Sequence, residues 1–272
     1  MIVVTGATGN VGRPLVQALT AAGEEVTAVS RRITAAEDGV RRVAADLSEP
    51  ETLKPALDGA AAVFLLTSAD FMANGNMKDV MEVVRAAGVP RVVLLSSQGV
   101  GTQRHPSDLE DAVVQSGLEW TMVRPGNFAS NALQWAETIR TQRMMAAPFA
   151  DVALPAVDPD DIAQVAAVAL RDPSHAGNIY TLTGPAAISP RQQADVIGQA
   201  VGEPVQFVEL SREEARTRML TYMPEPVVEA TLDVLGAPSA AEQEVSPDVE
   251  KVLGRPADTF ADWVRRNVTT FR

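Results

Sequence analysis

Two rhythms of apolar and polar residues alternate along the first two-thirds of the chain. Short, largely apolar runs occur at residues 1–5, 25–30, 40–45, 62–66, 91–95, 118–124 and 178–183. Between them, apolar residues recur every three or four positions: Val11, Leu15, Ala18, Leu19 and Ala22 before Gly23, then a stretch over 75–87 that stops at Gly88. Runs of the first kind read as buried strands and stretches of the second as helices. Their regular alternation predicts an α/β fold with a mostly parallel, doubly wound sheet. Ser48 with Glu51, and Ser107 with Glu110, have the spacing of capping boxes. The latter would open a helix whose inward stripe is Leu109, Ala112, Val113 and Ser116. Asp158-Pro159-Asp160-Asp161 starts another, with Ile162, Val165, Ala166, Ala169 and Leu170 facing inward; its acids read as caps at the positive end of the dipole.

Beyond Pro190 the pattern changes to helices over 191–201, 211–221 and 225–235, a strand over 205–210, and a closing helix with Phe260, Trp263 and Val264 on one face. Residues 236–247, small and polar, read as a mobile loop. The expected division is 1–155 for the main sheet and 156–272 for its last elements plus a smaller helix-rich part, interleaved in one unit. No internal repeat is present.

Chemistry enters at the first turn. Gly6-Ala7-Thr8-Gly9-Asn10-Val11-Gly12 lies directly behind the first strand and opens the first helix. The first glycine permits the tight turn, the second lets backbone approach a pyrophosphate, and the third lets helix and strand pack closely. The free N–H groups and dipole of the helix then face the anion. An NAD-selective site carries an acid about 20 residues on, to accept from the ribose 2′-hydroxyl. Here the second strand ends in Val29-Ser30-Arg31-Arg32, and Glu24 and Glu25 lie at its opposite end. Two guanidiniums suit a 2′-phosphate, so NADP(H) is the expected cofactor. Ligands of such sheets lie across the carboxyl ends of the strands, which puts Asp46, Thr67 and Ser96 on the cofactor side.

Composition narrows the classes. With no cysteine, disulfides and thiolate chemistry are excluded; with His105 and His175 as the only histidines, a histidine-rich metal site is not expected. A net charge of −12 argues against nucleic-acid binding. No apolar run approaches the roughly 18 residues of a membrane span. The first residues already form a strand, so no leader is expected, and the location is read as cytoplasmic.

Several segments recur together in one order: GATGNVG, Leu94-Leu95-Ser96-Ser97, Ser116-Gly117-Leu118-Glu119-Trp120-Thr121, Val123-Arg124-Pro125-Gly126-Asn127-Phe128 and Tyr180-Thr181-Leu182-Thr183-Gly184-Pro185. In this combination, which covers nearly the whole chain, it resembles the NmrA-like group of atypical short-chain dehydrogenases/reductases. The resemblance implies a Rossmann domain for NADP(H) and a smaller C-terminal part over the substrate. The cofactor residues it implies are Gly6, Thr8, Gly9, Asn10, Val11, Arg31, Arg32, Asp46, Leu47, Thr67, Ser68, Ser96, Ser97, Pro125, Asn127 and Phe128. Members include quinone reductases, natural-product tailoring reductases and proteins that sense the NADP state.

The wider superfamily uses a Tyr-x-x-x-Lys pair, and this chain lacks one: neither Tyr180 nor Tyr222 is followed by lysine at the fourth position. Tyr180 lies within a family segment and reads as structural. Three routes remain for the alkoxide that hydride transfer creates. Ser96 or Ser97 with His105 donates or relays a proton; a phenol beside the substrate carbonyl, or a quinone ring, takes up the charge; or no catalysis occurs and a partner protein reads cofactor binding. Phe128, Trp135, Met144, Met145, Met219, Tyr222 and Met223 suit a flat apolar ring, and Phe128, Trp135, Met219 and Tyr222 are the expected substrate contacts. The reading is an NADPH-dependent reductase of a quinone or aromatic polyketide-type ketone, against the alternative of a non-catalytic NADP(H) sensor. A sugar-nucleotide epimerase fits poorly, since that chemistry relies on the missing tyrosine. Oligomeric state is left open.

Overall fold

In the computed structural model, which describes residues 1–32 and 39–272, the chain runs through β1 (Ile2–Thr5), β2 (Val26–Ser30), β3 (Arg41–Ala44), β4 (Ala62–Leu65), β5 (Arg91–Leu95) and β6 (Glu119–Pro125). Shorter strands follow: β7 (Asn127–Phe128), β8 (Met144–Pro148) and β9 (Leu154–Val157), then β10 (Ile179–Leu182), β11 (Ala187–Ile188) and β12 (Gln206–Leu210). Seven form one sheet in the order β10-β6-β5-β4-β1-β2-β3, every pairing parallel. Because all seven run the same way, their C-terminal ends share one edge.

The first half also contains α1 (Gly12–Ala21), α2 (Lys54–Leu57), α3 (Ala69–Asn74), α4 (Met77–Ala86), α5 (Gln98–Gly101) and α6 (Asp108–Gln115). The second contains α7 (Ala136–Gln142), α8 (Pro159–Arg171), α9 (Pro190–Val201), α10 (Arg212–Met219), α11 (Glu225–Gly236), α12 (Ala240–Gln243), α13 (Asp248–Leu253) and α14 (Phe260–Asn267). Strand and helix side chains meet in a core that joins Val63, Leu65, Val92, Leu94 and Met122 to Leu57, Val80, Val84 and Val113. Leu15 and Leu19 of α1 and Ile162, Val165, Ala166 and Ala169 of α8 are likewise buried, and the two helices pack on each other. Burial on both faces explains why β1, β2, β4 and β5 read as apolar runs rather than alternating ones, whereas β3, at the sheet edge, has no buried residue.

Two compact units emerge. One comprises Met1–Pro125, Pro159–Leu182 and Asp248–Arg255; the other Gly126–Asp158, Thr183–Pro247 and Pro256–Arg272. The boundary expected at 155/156 falls inside the second unit, within β9. That unit pairs β12 with β8 in parallel and orders β11-β9-β7 in a second small sheet. Its core gathers Ile139, Met145, Ile197, Phe260, Trp263 and Phe271.

Several local expectations give way to tertiary structure. The helix read over 75–87 is α4, and a further short helix, α3, precedes it and ends at Gly75, where a Cβ would lie 2.3 Å from the Phe71 ring. Ser48 caps nothing; Asp46 Oδ1 accepts its N–H at 2.9 Å, and a 3-10 turn begins at Pro50. Ser107 precedes α6 without capping it and donates to Asp111 instead, at 2.8 Å. The 236–247 stretch holds α12, opened by a capping box of Ser239 and Glu242. The acids at the start of α8 do more than cap: fully buried Asp161 pairs with Arg255 at 2.7 Å, and Asp158 pairs with Arg266.

Candidate active site

The shared edge of the sheet begins with the glycine turn. Thr5 donates its hydroxyl to the Phe64 carbonyl at 3.0 Å and accepts the Leu66 N–H at 2.9 Å, which ties the ends of β1 and β4 together. Gly6 then takes φ +63°, open to glycine without strain. The Gly9 N–H donates to the Gly6 carbonyl at 3.0 Å. At Gly12 a Cβ would lie 2.1 Å from that carbonyl, so only glycine lets α1 start this close to the strand. A Cβ on Gly9 would meet nothing but the same carbonyl, at 3.3 Å, so this side of the turn is open. Thr8, Gly9 and Asn10 are exposed, no side chain caps α1, and its first turn holds no acid. An open cradle of backbone at an uncapped helix start fits a pyrophosphate. Val11 is buried and can contribute only its backbone; Leu47, part of the core, is in the same position.

Beside the turn lie the ends of β2, β3 and β4. Arg31 and Arg32 follow β2, both exposed, and the Ser30 hydroxyl donates to the Arg32 carbonyl at 2.6 Å to shape the turn. Arg31 pairs with Asp70 at 2.6 Å. Asp46 spends one carboxylate oxygen on Ser48. Thr67 and Ser68 are half-buried, and Ser68 accepts the Phe71 N–H at 3.2 Å as the cap of α3.

The end of β5 carries the polar groups that the sequence reading singled out, and they prove to be differently engaged. Ser96 donates its hydroxyl to Glu110 Oε1. Arg124, near the end of β6, grips the same carboxylate with both arms: Nε to Oε1 at 2.8 Å and a terminal nitrogen to Oε2 at 2.5 Å. Glu110 is buried, and its hydrogen bond raises the Arg124 pKa above its ordinary value, against the desolvation that lowers it. The spacing from Ser107 marks Glu110 only as half of a capping box, and nothing local in the sequence signals that its carboxylate turns inward. Ser97, by contrast, accepts the Gly99 N–H at 3.1 Å and lies 3.1 Å from His105 Nδ1. His105 is exposed, and its ring sits where a Cβ on Gly99 would be 2.5 Å from Nδ1. The Arg104 and His105 N–H groups both donate to the Gly99 carbonyl, at 2.8 and 2.9 Å, so the loop folds back and fixes the ring.

Tyr180 is buried with its hydroxyl 2.7 Å from His175 Nδ1, and burial pushes its pKa above the ordinary 10. Both groups are satisfied by each other, as a structural role requires.

In the second unit, Asn127 accepts from Asn131 at 2.9 Å and Phe128 is half-buried. The Trp135 indole N–H donates to the Ala146 carbonyl at 2.9 Å, and Met145 is fully buried, so both take part in packing. Met144 is half-buried on β8. Met219 and Met223 pack on a small cluster formed by Leu210, Ala215, Val228 and Leu232, whereas Tyr222 is exposed.

With this geometry in view, comparison with known proteins settles the class. The family described as NAD(P)H-binding matches residues 6–173. The chain belongs to this family. It is an NAD(P)H-dependent oxidoreductase, and its fold is similar to that of NmrA: TM-score 0.76, 19% identity, 98% and 95% covered. It is 37% identical to the (4-alkanoyl-5-oxo-2,5-dihydrofuran-3-yl)methyl phosphate reductase of Streptomyces griseus, covering 100% of this chain and 99% of that one. It is 33% identical to the NAD(P)H azoreductase of Xenophilus azovorans, with 100% and 99% covered. In fold it is similar to an NADPH-dependent quinone oxidoreductase of Escherichia coli solved with NADPH: TM-score 0.83, 23% identity, 98% and 99% covered. No helix among the described residues is long and apolar enough to cross a membrane, and no cluster of potential metal ligands is found among them.

Proposed function

We propose that the protein reduces a quinone or an aromatic, polyketide-type ketone, and that the substrate itself takes up the charge delivered with the hydride. The observation that carries this reading is the state of Ser96. Its proton is committed to a buried carboxylate that Arg124 already neutralises, so it is not held out to a reacting oxygen. No tyrosine–lysine pair replaces it. Hydride added to a carbonyl carbon leaves an alkoxide that needs a proton or delocalisation. A quinone spreads the charge over its ring; a peri phenol donates its proton to the neighbouring oxygen and is reprotonated by water. The dihydrofuranone and azo groups named for the two relatives are also conjugated systems able to spread incoming charge.

When bound, NADPH supplies the hydride. In this reading Gly6, Thr8, Gly9, Asn10 and the backbone of Val11 hold its pyrophosphate, and Arg31 and Arg32 its 2′-phosphate. Asp46 and the Leu47 backbone border the adenine. Thr67, Ser68, Ser96, Ser97 and Pro125 lie along the strand ends it crosses, and Asn127 and Phe128 flank the nicotinamide. Substrate contacts at Phe128, Trp135, Met219 and Tyr222 belong to the same proposal. Orientation of the carbonyl and exclusion of water then supply most of the rate. Ser97 and His105 form a relay to solvent that restores the proton balance without setting the rate.

The test is NADPH oxidation with a panel of quinones, peri-hydroxylated aromatic ketones and the methyl ethers of those ketones, with products identified. Turnover of the free phenols and the quinones, and failure of the ethers, is the expected pattern. Equal turnover of ethers and phenols, or turnover confined to unconjugated ketones, overturns it.

A further inference from the structure

One exposed ion pair joins a residue that this reading assigns to the cofactor, Arg31, to one that it leaves unused, Asp70. Arg31 directly follows β2, and Asp70 is the second residue of α3, just beyond the end of β4. In the sheet, β1 lies between those two strands. Neighbouring strands are about 4.8 Å apart, so the pair reaches across roughly 10 Å of the sheet edge, beside the strand end that carries the glycine turn. Its 2.6 Å contact joins residues whose side chains are 59% and 75% exposed. Contacts of this kind are weak, screened and readily exchanged.

We infer that Asp70 is a specificity-determining counter-charge: it competes with the 2′-phosphate for the Arg31 guanidinium and so limits how strongly the protein prefers NADP(H) over NAD(H). The inference rests on the reading of Arg31 as a phosphate ligand. A guanidinium offers its bidentate face to one anion at a time in good geometry. With a carboxylate already on Arg31, an arriving phosphate must displace it or share the cation with it, and both cost binding energy. NADH, with a neutral 2′-hydroxyl, has no claim on that cation and pays neither cost. Asp70 thus acts on one cofactor and not on the other. An exposed pair of this strength sets the scale: its loss changes an equilibrium by no more than about fivefold.

The experiment is calorimetric titration of the full chain with NADP⁺ and with NAD⁺, for the parent, Asp70→Asn, Arg31→Ala and the double variant. Asp70→Asn is expected to tighten NADP⁺ about two- to fivefold and to leave NAD⁺ unchanged. The gain should vanish in the Arg31→Ala background. It should also shrink as salt rises, because the Debye length falls from about 10 Å at 0.1 M to about 3 Å at 1 M. Unchanged or weaker NADP⁺ binding by Asp70→Asn, or an equal gain for both cofactors, overturns the role of Asp70. Arg31→Ala alone addresses the underlying assignment: if it weakens NADP⁺ no more than NAD⁺, Arg31 is not a phosphate ligand. Both side chains are exposed, so the variants should fold, and melting curves verify it.

Discussion

Removing Glu110 perturbs the strongest polar network at the end of β5. In Glu110→Ala, Arg124 keeps its charge but loses both oxygens of its fork, and Ser96 loses its acceptor. Breaking a buried ion pair from one side costs about 3–5 kcal/mol, because the remaining charge stays desolvated. The Arg124 side chain is 18% exposed against 7% for Glu110, so water reaches the orphaned guanidinium and the cost falls near the lower end, about 3 kcal/mol. At about 2–4 °C per kcal/mol for chains approaching this size, the melting temperature should drop by roughly 6–12 °C. Lys54→Ala is the control: it breaks a pair with Glu51 whose members are 56% and 74% exposed, worth at most about 1 kcal/mol. Glu110→Gln, with one acceptor left, should lie between the two. The loss should persist in high salt, unlike that of the control. The sign with pH is also fixed. Arg124 has a raised pKa, so its contribution is complete below the ordinary arginine value and fades only as pH climbs through the higher folded one. On the arginine side, the neutral range should therefore show no slope. If Glu110→Ala melts within a degree or two of Lys54→Ala, the network is not buried in the sense used above and its proposed effect on Ser96 fails with it.

Other outcomes follow from single features. Gly12→Ala places a Cβ 2.1 Å from the Gly6 carbonyl, so α1 must shift away from the turn; titration should show loss of NADPH affinity by tenfold or more, about 1.4 kcal/mol. Arg32→Glu should weaken NADPH more than NADH, and equal losses in the two binding constants would remove Arg32 from the phosphate site. His105→Ala should keep turnover within about tenfold of the parent, whereas a loss of about 10³-fold, or 4 kcal/mol of barrier, in steady-state kinetics would make His105 the acid. Glu229 is held below its ordinary 4.5 first by its hydrogen bond from Arg216 and then by that from Arg212. Its support for α10 and α11 is complete above pH 4.5 and is lost as pH falls through the depressed value, so circular dichroism should show loosening only on the acid side.

Much of this was legible before the fold was known, for identifiable reasons. The central strands β1, β2, β4 and β5 are buried on both faces, so they announce themselves as apolar runs, and the glycine turn is written in residues whose backbone, not side chain, carries the message. What escaped reading depends on partners distant in sequence. Glu110 has the spacing of a capping residue, yet its carboxylate turns inward because Arg124 waits at the end of another strand. Ser96 and Ser97 look alike in sequence; one is tied to Glu110, and the other faces His105. The strands β8 and β9 lie in short, mixed segments with no clear period, and their pairing with β12 and β11 is set only by the small sheets they join. Asp158 and Asp161 carry good helix-start chemistry, which hid that both are buried against arginines from the C-terminal stretch.

The threading of the chain constrains how this protein can be changed. It passes from one compact unit to the other at 125/126, 158/159, 182/183, 247/248 and 255/256. Each unit is therefore assembled from three pieces of sequence, and no single cut or fusion point separates them. A protease nicking any one crossing would leave at least one fragment that contributes to both units, so a single nick should not yield either unit whole and free. A laboratory exchange of either unit between relatives must transplant three segments in register, or work by point substitution. Drift along a lineage faces the same choice, which favours accumulation of scattered single replacements over acquisition of a new module.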